Sequence, residues 1–212
     1  MNSSYQYIPL AKVDSLNSKD SDNAISSPIL FELLNGLSIE EHHQILDVMP
    51  VRQGIIDVFS GFACKLYLPG CLQELCSISS EKYDTANKLN RVFTKTFGLY
   101  KKQRAFLNII FLWDLPNYLD KQVMQSLIEY LSQHMHENIK LHMYIHTRQQ
   151  MPSSPGSYLI LPDGKVGLEL SRDGSIKSPL YFQEKLQKLL HPFKVKRSML
   201  ISGGLQEYIL EL

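Results

Sequence analysis

An α/β fold built on a mostly parallel sheet is predicted by three observations. The apolar runs Gln44–Val48 and Leu107–Trp113 are continuous rather than alternating, the pattern of strands covered on both faces. Segments of helical periodicity separate the strand-like runs, and such alternation marks parallel pairing through helical crossovers. Each of the two runs also delivers a carboxylate at its carboxyl end, Asp47 and Asp114. In open α/β sheets that edge is where ligands bind.

The length of 212 residues suits one domain with a sizeable core. A net charge of +1 gives no electrostatic reason to expect nucleic acid. Basic residues cluster only at Lys101-Lys102-Gln103-Arg104 and Lys194-Val195-Lys196-Arg197, runs that read as solvated edges. Cys64, Cys71 and Cys76 are odd in number and lack metal or redox spacing, so reduced, buried thiols are expected. No apolar stretch is long enough to cross a bilayer, and the polar N-terminus is unlike a signal peptide. A cytoplasmic location is the expectation.

Residues 1–27 read as a polar, mobile arm that Tyr5, Tyr7, Ile8 and Leu10 could dock on the body. Residues 28–212 form the α/β domain. Ser27 is expected to cap a helix that has Pro28 in its first turn and Ile29, Leu30, Leu33 and Leu34 on one face. A second short helix is expected at Ser38, with Glu41 completing a capping box. After the strand Gln44–Val48 come a helical turn at 54–61, the strand Cys64–Leu68 and a helical region over 71–104. The strand Leu107–Trp113, a helix from about Asp120 to His134 and the strand Leu141–Ile145 follow. An insert at about 151–177 carries a hairpin, Ser157–Leu161 with Lys165–Leu170, turned at Pro162-Asp163-Gly164. A helix from Ser178 to Leu190 precedes a terminal antiparallel hairpin, Phe193–Ile201 with Leu205–Leu212, turned at Ser202-Gly203-Gly204. The predicted fold is thus Rossmann-like, with helices on both faces of the sheet and antiparallel strands at the end of the chain.

This order resembles the class I S-adenosylmethionine-dependent methyltransferases over roughly residues 30–212. Asp47-Val48-Met49-Pro50-Val51-Arg52-Gln53-Gly54 corresponds to the family's acidic strand end and glycine-rich loop. Met49, Val51 and Gln53 stand where the family has glycines, and only Gly54 remains. Trp113-Asp114-Leu115-Pro116-Asn117-Tyr118-Leu119 corresponds to the ligand-contacting segment after a later strand, and Leu205–Leu210 to the last strand. The second strand ends at Leu68-Pro69-Gly70 without the acid that holds ribose hydroxyls in the family; the nearest is Glu74. The resemblance implies methyl transfer from S-adenosylmethionine to a small-molecule or protein acceptor that it does not identify. A non-catalytic relative serving as a binding or scaffold protein is the alternative.

On that resemblance, Asp47, Met49, Val51, Gly54, Trp113 and Asp114 are the expected cofactor-binding residues. Asp47 can equally cap the following turn, Trp113 can be core, and Asp114 can cap the next helix. Asn117, Tyr118, Arg148 and Tyr158 are the expected substrate-side residues, the last two near a hairpin that would lie over the site. His146 and Tyr118 are candidate catalytic groups, His146 as a general base close to neutral pH. His142, Tyr144, His146 and Arg148 share one face of a strand. Histidines four apart on a strand sit about 13 Å apart, too far to share a metal, so no metal site is expected. The oligomeric state is not indicated.

Overall fold

A computed structural model of the chain describes residues 24–83, 85–99, 106–161, 164–171 and 173–212. Outside them lie residues 1–23 of the expected arm, the Lys101-Lys102-Gln103-Arg104 run and the Pro162-Asp163 turn. In chain order the elements begin with β1 (Ala24–Ser26), α1 (Pro28–Asn35), β2 (His43–Asp47), α2 (Gln53–Phe59) and β3 (Cys64–Tyr67). Next come α3 (Leu72–Cys76), α4 (Ala86–Phe97), β4 (Leu107–Trp113), α5 (Lys121–Ser132) and β5 (Met135–His146). The insert supplies β6 (Gln150–Pro152), β7 (Ser157–Ile160), β8 (Lys165–Glu169) and β9 (Ser175–Lys177). The chain closes with α6 (Gln183–Leu189), β10 (Lys194–Ile201) and β11 (Leu205–Glu211).

The main sheet has the order β10-β11-β5-β4-β2-β3. Strands β2, β3, β4 and β5 run parallel, with Ile45 opposite both Leu66 and Ile109. Strand β11 lies antiparallel beside β5, and β10 antiparallel beside β11. Strand β4 is buried at every residue but Asn108, so both faces of the sheet are covered. Phe111 meets Phe59 of α2 on one face, the face that also carries His142 and Tyr144. Helices α4, α5 and α6, packed on one another, cover the other face. The sheet is therefore Rossmann-like, mostly parallel, with an antiparallel end.

Local chemistry sets the helix ends. Asp120 caps α5 by accepting from the Val123 amide at 2.9 Å, and Gly98 closes α4 with a left-handed φ of 64°. The helix expected at Ser38 does not form. The Ser38 hydroxyl accepts from the Glu40 amide and its carbonyl takes the His43 ring, which bends the few residues left before β2. The region 71–104 divides into α3 and α4, and β5 starts earlier than its apolar run, at Met135. The helix expected from Ser178 opens only at Gln183, because Leu180 has a φ of 47° and cannot enter a helix. Ala24–Ser26, read as the end of the arm, instead pair with β8.

Candidate functional site

The carboxyl ends of β2 and β4 are adjacent, which places Asp47 beside Trp113 and Asp114. Asp47 is buried, and its Oδ1 accepts from the Met49 amide at 2.9 Å and from Trp113 Nε1 at 2.6 Å. Burial pushes the Asp47 carboxyl up to about 6, and the Met49 and Trp113 donors offset only part of that rise. Trp113 has a φ of 51°, in the left-handed region, where the β4–β5 register also shifts. A bulky residue held there stores about 1–3 kcal/mol of backbone strain, a feature that clusters at functional sites.

Above this edge sits the insert. Strands β6 and β9 pair to close its stem, and the Tyr118 hydroxyl donates to the carbonyls of Pro152 (3.2 Å) and Ser154 (2.9 Å). The Gly156 amide donates to Asp114 Oδ2 at 2.9 Å. Strands β7 and β8 then form a hairpin that takes β1 as a third strand. The hairpin lays Tyr158 on Trp113, ring centroids 5.1 Å apart and 12° from parallel, and on Tyr144 at 5.2 Å. Leu159 descends on Gly54: a Cβ there would stand 2.3 Å from Leu159 Cδ1. The close approach that Gly54 permits is thus made by the protein's own hairpin.

Several polar atoms beneath the hairpin have no hydrogen-bond partner among the described residues. They are Asp114 Oδ1, His146 Nε2 and Ser157 Oγ, while the Tyr158 hydroxyl faces the Asp114 carboxyl. His146 Nε2 lies 3.7 Å from Asp114 Oδ2, an ion-pair distance without a closed hydrogen bond. Burial first, and then the Asp114 charge, hold the Tyr118 and Tyr158 phenols protonated. The same two causes push the Cys76 thiol up to about 12, which brings Cys76 into the electrostatic reach of this edge.

The remaining expected residues divide. Met49 is buried, whereas Val51 is 56% exposed and stands apart from the cluster. Asn117 donates to the Asp114 and Tyr144 carbonyls and accepts from the His146 amide, so its side chain clips the end of β4 to β5. Arg148 is exposed and lies across Gly204 at the β10–β11 turn. Among the described residues no three His, Cys, Asp or Glu side chains gather as a metal set. No helix among them is long and apolar enough to cross a membrane.

One buried group was missed. Glu207, fully buried on β11, accepts from the Ile29 and Leu30 amides at 3.1 and 2.8 Å, from Ser27 Oγ, and pairs with His142 Nε2 at 2.9 Å. Burial pushes its pKa up, but the His142 and Ser27 donors and the Leu30 amide more than reverse this and hold it low. Ser27 therefore does not cap α1 with its own side chain; a carboxylate from the far end of the chain does. A lone acid in the apolar run Leu205–Leu210 is the signal that could have flagged it.

By sequence, no family profile and no characterised protein matches the chain. Among solved structures it is similar to the glycopeptide N-methyltransferase MtfA, with a TM-score of 0.45 and 9% identity over 94% of this chain and 92% of that one. MtfA has also been solved with S-adenosyl-L-methionine. The mitomycin 7-O-methyltransferase MmcR gives a TM-score of 0.43 and 12% identity, covering 86% of this chain and 52% of its own. The pyocyanin biosynthetic protein PhzM gives 0.41 and 12%, covering 85% and 53%. The chain thus spans about half the length of the latter two.

S-adenosylmethionine, the cofactor implied for this edge, does not fit the closed arrangement. Asp47 Oδ1 and the Met49 amide already satisfy each other, Tyr158 covers the indole face, and Leu159 fills the space above Gly54.

Proposed function

We propose that the chain is a divergent methyltransferase-type domain whose S-adenosylmethionine edge is shut by its own hairpin, so that methyl transfer to a small-molecule or protein acceptor is conditional on the hairpin leaving. The observation that carries this reading is the pair of carboxylates, Asp47 and Asp114, at the carboxyl ends of adjacent parallel strands. In this reading Asp47, Met49, Gly54, Trp113 and Asp114 form the cofactor side. Asn117, Tyr118, His146, Arg148 and Tyr158 belong to the acceptor side. A cytoplasmic location is part of the same reading.

The cover combines unpaired groups with favourable contacts. Each buried polar atom left unpaired costs about 1–3 kcal/mol, and the Trp113 backbone adds about 1–3 kcal/mol. The Trp113–Tyr158 and Tyr144–Tyr158 ring pairs return about 0.5–1.5 kcal/mol each. The Gly156–Asp114 bond, the Tyr118 bonds to Pro152 and Ser154 and the β1–β8 ladder also hold the insert, so opening must break directional bonds as well as ring contacts.

The second reading, a non-catalytic relative that binds a partner, is favoured by the same stack if the hairpin never opens. Calorimetric titration with S-adenosylmethionine and S-adenosylhomocysteine separates the two. Binding that strengthens in Leu159→Ala and disappears in Asp47→Ala supports the gated site. Absence of heat in the wild type and in Leu159→Ala at millimolar ligand supports the non-catalytic reading.

A further inference from the structure

A cavity of about 560 Å³ opens between α4 and α5, within the usual size range of small-ligand sites. It lies at the opposite end of the sheet from Asp47. His134, on its wall, gives its carbonyl to the Leu107 amide at the amino end of β4. Asn87, Asn90, Arg91, Thr94 and Lys95 line it from α4 at i, i+3, i+4, i+7 and i+8, one face of the helix, and Gln133 faces them from the end of α5. Among the described residues no Asp or Glu lines it.

Two opposing electrostatic contributions meet there. The carboxyl ends of α4 and α5 adjoin the cavity, and each carries roughly half a negative charge. Arg91 and Lys95 bring two full positive charges, so the cavity is net positive. A guanidinium offers a planar fork and an ammonium a point charge, the pairing that suits tetrahedral oxyanions. The Asn87, Asn90 and Gln133 amides add neutral donors.

We propose that this cavity is a binding site for a small molecule bearing a phosphate group, with Arg91 and Lys95 as its charge partners and Asn90 and Gln133 as orienting donors. It is independent of the carboxyl-edge reading and shares no residue with it. Inorganic pyrophosphate is the probe, titrated at low ionic strength by calorimetry and by amide chemical shifts in NMR. The expected result is one saturable site, with shifts confined to α4 and the end of α5.

The double variant Arg91→Ala/Lys95→Ala should weaken it by about tenfold or more. Lys185→Ala/Lys188→Ala, which removes equal charge from α6, should leave it unchanged. Asn90→Leu, which alters no charge, should weaken it about threefold. All of these side chains are at least partly exposed, so the variants should melt like the wild type. No saturation by about 10 mM, equal weakening in the α6 variant, or binding of a single-stranded oligonucleotide without pyrophosphate binding would each overturn the proposal.

Discussion

Trp113 donates its indole N–H to Asp47 Oδ1 at 2.6 Å, and this bond spans the ends of two parallel strands. The donor sits on a left-handed backbone, and its ring carries Tyr158 of the hairpin. One side chain therefore links strand β2, strand β4 and the cover above them. Movement of the cover must be felt at Trp113.

Because Trp113 is the only tryptophan and is 1% exposed, its fluorescence is a direct report of the hairpin. Tyr158→Ala should shift the emission to the red by exposing the indole face. It should also cost about 3–4 kcal/mol in urea unfolding, as expected when a buried aromatic is truncated. An unshifted spectrum in a folded variant would show that the stack does not shield the indole.

Asp47 makes stability depend on pH. Its folded pKa, about 6, lies above the ordinary value of 3.8, so the fold prefers the protonated acid. The stability it contributes is complete below about pH 4 and is lost as pH rises through 6. The loss is about 3 kcal/mol at 1.36 kcal/mol per unit. Asp47→Asn keeps an acceptor for Trp113 and Met49 without the charge. Unfolding free energies from pH 4 to 8 should therefore converge at pH 4, with the variant more stable at pH 7. A variant less stable at pH 7 would mean that the carboxylate charge is needed.

The sheet was legible because its signal is local. Gln44–Val48 and Leu107–Trp113 are apolar on both faces, and only a covered strand tolerates that. Asp47, Trp113 and Asp114 were legible as a group because strand order brings strand ends together. The occupant of the edge was not legible. Whether Gly54 faces a ligand or Leu159 depends on how an insert a hundred residues away folds back, and no periodicity encodes that. Glu207 escaped for the same reason: its partners, Ser27 and the α1 amides, lie about 180 residues earlier in the chain.

Glu207→Ala should be among the most damaging single changes outside the carboxyl edge. It leaves the α1 amides, Ser27 and His142 without their shared acceptor, at about 1–3 kcal/mol for each buried donor left unpaired. The held-down pKa sets the sign of its pH dependence. Its stabilisation is present above about pH 4.5 and fades as pH falls through the lowered folded value. Hydrogen exchange at the Ile29 and Leu30 amides should accelerate in Glu207→Gln even where the sheet stays protected. Unchanged exchange at those two amides would remove Glu207 as the cap.

The Gly54–Leu159 contact allows the cover to be tested without touching a polar group. Gly54→Ala places a methyl 2.3 Å from Leu159 Cδ1, closer than any real carbon contact, so the leucine or the hairpin must shift. The far end of a leucine can rotate, which keeps the expected cost near 1–3 kcal/mol. Leu159→Ala alone should cost about 1–2 kcal/mol, because Leu159 is only half-buried. Together the two should cost less than their sum by about 1 kcal/mol or more, because the added methyl occupies the space the leucine left. Strict additivity in this double-mutant cycle would mean that hairpin and α2 are not in contact in solution. The edge would then be open, and Gly54 would face whatever ligand the site admits.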